Sequence, residues 1–248
     1  MFPIRDHNPS NSTPFVNYAL IMINVVVFLG YQSIFQNPQL LGQFFWNYAI
    51  IPARITQGDG LTGMITSMFL HGGWMHLLGN MLFLFIFGDN LEDQLGHTLY
   101  LAFYMACGIA AGLAQVMTSP LSTVPLVGAS GAIAGVMGGY LLMFPRARVD
   151  VTLIIIIFFK IFPMPAWVTL GIWFALQLFN GAGSMTGEGG VAYWAHIGGF
   201  VAGAVLILPL WLSKGGPAFW RRTHGHPEHP EARYRMSRTS IPTVRRKR

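Results

Sequence analysis

Charge is what this sequence lacks most clearly. Only 10% of its 248 residues are Asp, Glu, Lys or Arg, whereas a soluble domain carries about 25%. So few charges cannot cover the surface of a soluble globule, and 53% of the residues are hydrophobic. These proportions exclude a disordered chain and a coiled coil, and they indicate a polytopic membrane protein.

Cysteine is also scarce, because Cys107 is the only one and lies in an apolar stretch. One cysteine cannot build a disulfide framework or a thiolate metal centre. A small buried side chain is the ordinary role of such a residue. The sequence predicts no metal site and no cofactor.

Positive charge is concentrated at one end of the chain. Ten of the fifteen Lys and Arg residues follow Ser213. A basic segment after an apolar body is typical of the cytoplasmic side, next to anionic lipid. No aromatic or motif framework accompanies these charges, so no nucleic-acid partner is predicted.

Six apolar stretches approach the roughly 20 residues that span a bilayer. They are residues 15–35, 74–91, 98–118, 129–144, 151–179 and 191–212. The sequence therefore predicts an all-α protein with a six-transmembrane-helix domain over residues 15–213. A cytoplasmic segment, residues 1–14, precedes this domain, and a basic, disordered cytoplasmic tail, residues 214–248, follows it.

The fourth and fifth stretches differ from a plain membrane helix. The fourth is short and rich in glycine and alanine, which predicts close packing at the centre of the bundle. The fifth contains Lys160, Pro163 and Pro165, which predict a helix that is bent or shorter than its apolar run.

Basic residues in the loops predict the orientation. With six spans and a cytoplasmic tail, both termini are cytoplasmic, and so is the loop with Arg146 and Arg148. The connection over residues 36–73 is then outside, and its aromatic residues predict that it lies on or in the outer leaflet. The predicted location is a cell membrane of prokaryotic inner or plasma membrane type.

Polar side chains inside a span are costly and are functional candidates by default. Three clusters occur where spans two, four and six begin, at one depth near the outer face. They contain His71, His76 and Asn80; Gly128, Ser130 and Gly131; and His196, Gly199 and Gly203.

The second and third clusters predict a nucleophile and a base. Gly199 and Gly203 form a face that lets two helices approach closely. Ser130 is therefore predicted within hydrogen-bond reach of His196, which is the geometry of a serine–histidine pair. Each residue alone also fits a packing role, and it is their combination at one depth that indicates hydrolysis.

Two non-enzymatic classes stay open on this reasoning. The intramembrane histidines and Lys160 also fit a small transporter or channel, although no internal repeat is evident. A binding or escort protein on the same fold is the other alternative. Labelling of Ser130 by a serine-reactive fluorophosphonate would separate both from a hydrolase.

These motifs, over residues 60–210, resemble the rhomboid family of intramembrane serine proteases. The resemblance implies a six-helix bundle that cleaves single-span or multi-span membrane proteins near the outer leaflet. Ser130 would be the nucleophile and His196 the general base. The Ser130 backbone N–H with the side chains of His76 and Asn80 would form the oxyanion site.

Supporting roles follow from the same resemblance. His71 would support the outer end of span two, and Glu92 matches a structural acid at its inner end. Gly128, Gly131, Gly199 and Gly203 would shape the site and its helix contact.

The chain also departs from the family pattern. Leu61 and Thr62 stand where many members have Trp-Arg. Ala134 replaces a tyrosine that stacks on the histidine, and Phe200, Tyr193 or Tyr140 are substitutes for it. The intact pair argues against an inactive relative.

The acid needed for a catalytic triad is not evident. Asp89, Glu92 and Asp93 belong to the inner end of span two. Glu188, eight residues before His196, is the one alternative that could orient the imidazole, so a Ser-His dyad is predicted.

The carbonyl groups of a helix in lipid are hydrogen-bonded within the helix, so the substrate must unwind near the outer leaflet. Span five is the candidate lateral gate through which the substrate would enter.

Overall fold

The computed structural model describes residues 2–8, 10–155, 158–184 and 192–226. Within these residues the chain is mostly helical, as the sequence predicts. The helices are α1 (Phe15–Tyr31), α2 (Pro38–Tyr48), α3 (Pro52–Thr56), α4 (Gly63–Thr66), α5 (Trp74–Leu95), α6 (His97–Thr118), α7 (Ser130–Met143), α8 (Ala166–Ser184), α9 (Tyr193–Leu206), α10 (Leu208–Ser213) and α11 (Pro217–Thr223). The strands are β1 (Phe2–Asp6), β2 (Arg148–Ile155) and β3 (Phe158–Pro165).

Three helical segments are long and apolar enough to cross a membrane, namely Phe15–Gln36, His97–Thr118 and Tyr193–Ser213. A further candidate joins Gly63–Phe69 to α5 through a bend of 93°. Helix α7 is apolar but only 14 residues long. The described residues therefore contain three candidate spans, or four with the bent pair, and the predicted count of six is not confirmed.

Helix α1 shows how the bundle divides its surface. Its buried residues Asn17, Leu20, Asn24, Phe28 and Tyr31 recur every three or four positions, which is the spacing of one helical face. The other positions carry exposed or partly buried side chains that are mostly apolar. A helix that exposes apolar residues away from the protein core is suited to contact lipid.

Helix α7 occupies the centre of the bundle, with most of its residues buried. Its most extensive contact is with α9. A Cβ atom at Gly199 would overlap the carbonyl oxygen of Gly131, and one at Gly203 would overlap that of Gly135. The small residues therefore bring the fourth and sixth apolar stretches together, as the sequence predicts.

The fifth apolar stretch does not form the helix predicted over residues 151–179. Strands β2 and β3 pair antiparallel along their length, and α8 begins only at Ala166. Pro163 and Pro165 disfavour a helix interior, and the preceding residues are rich in isoleucine and phenylalanine, which favour strands. The expected shortening of the helix is correct, but a β-hairpin takes the place of the missing turns.

The N-terminal segment, predicted only as a cytoplasmic extension, contributes an edge strand. Strand β1 pairs antiparallel with β2 in a sheet of order β1-β2-β3. The Asp150 carboxylate accepts a hydrogen bond from Arg5 Nη2 at 2.8 Å and lies 2.7 Å from His7 Nε2. These contacts fasten the start of the chain to the hairpin that follows α7.

The tail predicted to be disordered from residue 214 begins with α11. Phe219 is 1% exposed, and the Trp220 indole N–H donates to the Leu142 carbonyl at 2.9 Å. The expectation of disorder therefore does not hold for α11, because its aromatic residues dock on the end of α7. Residues 227–248 lie outside the described residues.

Candidate active site

Ser130 is the first residue of α7. The turn before it needs Gly128, whose φ of +129° is rarely adopted by residues with a side chain. The Gly128 N–H donates to the Ser67 carbonyl at 2.9 Å, which fixes the approach of the loop. Because the first N–H groups of a helix have no intrahelical acceptor, the Ser130 hydroxyl stands beside free backbone donors.

His196 lies in the first turns of α9 and faces this serine. Its Nε2 atom is 2.8 Å from Ser130 Oγ. Gly131, the residue after Ser130, and Gly199, three residues after His196, allow this approach, since a Cβ at Gly199 would collide with the Gly131 backbone. The two side chains that the sequence predicts within hydrogen-bond reach are thus in contact.

The His76 ring lies on the other side of Gly128. A Cβ at Gly128 would be 2.8 Å from both Cε1 and Nε2 of His76 and 3.5 Å from Ser130 Oγ. The Gly72 N–H donates to His76 Nδ1 at 3.3 Å, so the neutral ring carries its proton on Nε2. His76 therefore presents an N–H donor next to Gly128 and Ser130.

Asn80 follows four residues later on the same face of α5. It is 7% exposed, and its Nδ2 atom is buried with no hydrogen-bond partner among the described residues. Leaving such a group unpaired costs about 1–3 kcal/mol. An unpaired buried donor calls for an explanation, and a catalytic role is one of the recognised ones.

Two residues of α8 that sequence reasoning missed complete the surroundings of His196. Gln177 Oε1 is 2.9 Å from His196 Nδ1. The Trp173 ring centroid is 5.8 Å from that of the imidazole, with 37° between the planes. A polar side chain in an apolar stretch was the signal for the other candidates, and Gln177 carries the same signal.

Ala134 is fully buried, so position 134 offers no aromatic ring to the imidazole. Of the substitutes considered, Phe200 packs on Trp173 at 6.0 Å between ring centroids. Tyr140 instead hydrogen-bonds Asp6 at 3.0 Å, at the opposite end of α7. Trp173 on α8 is therefore the ring that supports His196, with Phe200 behind it.

His71 precedes α5 and is fully buried. Its backbone N–H donates to the Tyr31 hydroxyl at 2.6 Å, and its carbonyl accepts from that hydroxyl at 2.8 Å. Its ring stands edge-on to His76 at 5.1 Å. His71 thus ties the start of α5 to the end of α1 and backs the His76 ring.

Glu92 lies near the opposite end of α5 and is 1% exposed. Its carboxylate accepts the backbone N–H groups of Val16 at 2.9 Å and Asn17 at 2.7 Å. It also lies 2.5 Å from Nδ1 of His97. Glu92 caps the N-terminus of α1 and is remote from Ser130 along the helices.

Two candidates remain, one outside the described residues and one in the sheet. Glu188, considered as an orienter of His196, lies outside the described residues. Lys160, cited in favour of a transporter, is an exposed residue of strand β3. Among the described residues, no group of three or more His, Cys, Asp or Glu side chains is arranged to hold a metal ion.

Comparison with known proteins gives the relatives of this chain. A sequence profile of the Rhomboid domain matches residues 59–213. Rhomboid protein 1, mitochondrial, of Saccharomyces cerevisiae is 34% identical over 197 residues, which is 76% of this chain and 51% of the yeast protein. Rhomboid protease AarA of Providencia stuartii is 32% identical over 215 residues, 77% of this chain and 70% of AarA.

Rhomboid protease GluP of Bacillus subtilis is 32% identical over 175 residues, 68% of this chain but 29% of GluP. The chain thus spans about half or less of the length of the yeast protein and of GluP. The matched domain nevertheless contains α5 to α9, which carry every side chain of the site. On a domain match over most of its length and on the similarity to AarA, this chain is a member of the rhomboid family.

Proposed function

We propose that this protein is an intramembrane serine endopeptidase with Ser130 and His196 as its catalytic dyad. The observation that carries the proposal is the 2.8 Å contact between Ser130 Oγ and His196 Nε2. Polar side chains are costly in an apolar bundle and are functional candidates by default, so this pair calls for a functional reason. AarA and GluP, two of the relatives, are named as rhomboid proteases.

The chemistry is acyl transfer through the serine oxygen. Ser130 Oγ attacks the substrate carbonyl carbon while His196 Nε2 takes the hydroxyl proton. The carbonyl π bond opens to an oxyanion, which collapses as the C–N bond breaks and His196 returns the proton to the leaving amine. Water, activated by His196 in the same way, then hydrolyses the acyl-enzyme.

The oxyanion would be held by three kinds of donor. The Ser130 backbone N–H lies at the start of α7, His76 presents Nε2–H beside Gly128, and Asn80 has a free amide N–H. Preorganised donors of this kind act where charge develops in the transition state. The buried amide of Asn80 would find there the acceptor that it lacks.

The proposed setting is a six-helix bundle with both termini and the basic tail in the cytoplasm. Helix α7, which is shorter than a usual membrane span, and helix α8 would complete the six spans. The substrates would be membrane proteins whose helices unwind near the outer leaflet, because a regular helix hides its carbonyls. Ser130 and His196 are only partly buried, in keeping with the water that hydrolysis needs. Helix α8 would serve as the lateral gate.

A fluorophosphonate probe and a single-span reporter test the proposal on purified protein in detergent. Wild-type protein should label and cleave, and Ser130→Ala and His196→Ala should each lower cleavage by about 10⁴-fold or more. Ser213→Ala is the matched control, because Ser213 is exposed at the end of α10. Labelling of Ser130→Ala at the wild-type rate, or unreactive wild-type protein, would favour a transporter or escort protein instead.

A further inference from the structure

Gln177 is a buried carboxamide on α8, 9% exposed, with both ends of its amide engaged. Its Nε2 atom donates to the Trp173 carbonyl at 3.4 Å, one turn earlier in the same helix. Its Oε1 atom lies 2.9 Å from His196 Nδ1. Gln177 therefore bridges the backbone of α8 and the ring of His196 on α9.

The directions of these hydrogen bonds follow from what each atom can do. The Trp173 carbonyl can only accept, so the NH₂ group of Gln177 points to it and Oε1 points to the imidazole. An amide oxygen can also only accept, so His196 Nδ1 must carry the proton. The neutral imidazole then has its lone pair on Nε2, which faces Ser130 Oγ at 2.8 Å and can accept the hydroxyl proton.

We propose that Gln177 is a positioning residue, which holds His196 in the tautomer that makes Nε2 the base toward Ser130. This inference rests on the hydrolase proposed above and names the third member of its hydrogen-bond chain. Within the catalytic dyad Gln177 contacts the imidazole, and it acts on the reaction through that ring.

A neutral partner suits the surroundings of this position. Trp173 packs on the imidazole and Phe200 packs on Trp173, so a carboxylate at position 177 would be a desolvated charge beside aromatic rings. A carboxamide supplies the acceptor without that cost. Gln177 therefore takes the orienting role for which the sequence offered only Glu188.

The test compares three single variants in detergent. Gln177→Met keeps the length of the side chain and removes the acceptor, whereas Gln177→Glu keeps an acceptor oxygen. Gln115→Met is the matched control, because Gln115 Oε1 accepts from the Ala195 N–H at 3.3 Å and so bonds the same helix without touching the imidazole. The measurements are kcat and KM on the single-span reporter and the rate of fluorophosphonate labelling.

We expect Gln177→Met to lower kcat and the labelling rate by about 10- to 100-fold with KM unchanged. Per folded molecule, Gln177→Glu should recover most of that loss of kcat, with the desolvation cost of the carboxylate appearing as lower stability. Gln115→Met should stay within about twofold of wild type. Equal losses in Gln177→Met and Gln115→Met would overturn the proposal, because they would indicate a structural effect on α9. A failure of Gln177→Glu to recover would also overturn it.

A spectroscopic measurement separates this inference from the proposed function. ¹⁵N NMR of histidine-labelled protein, with the His196 signals assigned by their loss in His196→Ala, reports the tautomer without any turnover. Wild-type protein should show the Nδ1–H form, and a proton on Nε2 would overturn the role of Gln177 even if no Gln177 variant could be purified. Wild-type protein with the Nδ1–H form that neither labels nor cleaves would contradict the hydrolase and leave the positioning role intact.

Discussion

The two ends of the bundle satisfy their polar groups in different ways. Around Ser130 the polar groups are a hydroxyl, imidazoles and carboxamides. The Nδ2 atom of Asn80 there has no hydrogen-bond partner among the described residues. At the opposite end, carboxylates are tied to backbone N–H groups and basic side chains, as Glu92 and Asp150 show. Buried groups that are fully bonded hold elements together, whereas groups with a free donor or lone pair remain available for a substrate.

The carboxylates of the sheet end also differ from each other. Burial alone would raise the pKa of Asp150, but hydrogen bonds from His7 and Arg5 outweigh it and hold that pKa below its usual 3.8. Burial, followed by the nearby Asp89 carboxylate, raises the pKa of Asp6 from 3.8 to about 7. Among the described residues, Asp6 thus lacks the basic partners that Asp150 has.

Among the tests of this difference between the two ends, Asn80→Ala should have the largest effect, a fall in kcat. Loss of one oxyanion donor costs about 10²–10³ in kcat. Because Asn80 Nδ2 has no partner among the described residues, the thermal midpoint should not fall.

Asn17→Ala is the matched control, since Asn17 donates to the Leu84 carbonyl at 3.1 Å and accepts from Tyr100 at 2.9 Å. This variant should lose stability instead. A midpoint that drops equally in both variants would make Asn80 a structural residue.

Glu92→Gln should do the reverse of Asn80→Ala: it should lower stability and leave the reactivity of Ser130 unchanged. The amide can no longer accept both the Val16 and Asn17 N–H groups as a carboxylate does, so the free energy of unfolding should fall by about 1–3 kcal/mol. Labelling of Ser130 per folded molecule should be unchanged. Asp93→Asn is the control, because Asp93 bonds Ser12 at an exposed position and should change stability by about 0.5 kcal/mol or less. A slower labelling rate in folded Glu92→Gln would show that the two ends are coupled.

Asp6 predicts a pH dependence of stability. Its pKa in the folded protein, about 7, lies above the ordinary value of 3.8, so the folded state binds more protons between those limits. The free energy of unfolding should therefore fall as the pH rises through this window. Asp6→Asn, which is neutral throughout, should flatten that slope in thermal unfolding at pH 5 and pH 8. An unchanged slope would mean that Asp6 does not titrate in this range.

Sequence reasoning selected most of the candidate site by one rule. Ser130, His196, His76 and Asn80 are polar residues in apolar stretches, and the glycines around them indicate which helices meet. Gln177 is a polar residue of the fifth apolar stretch and fits the same rule.

The sheet could not be read from local pattern. The run of isoleucine and phenylalanine before Lys160 has no period that separates a buried strand from a helix. Strand β1 is short, and its partner lies about 145 residues later in the chain. Pairing over such a distance depends on where the bundle brings the two segments, which no local propensity encodes.

That pairing has a consequence for synthesis of the chain. At about 5–20 residues per second, the ribosome needs roughly 7–30 s to travel the 145 residues between Arg5 and Asp150. During that time β1 has no partner, although the helices from α1 to α7 are already available to insert. The contacts between β1 and β2 therefore cannot form until α1 to α7 have been synthesised, whereas α8 and α9 are synthesised after both strands.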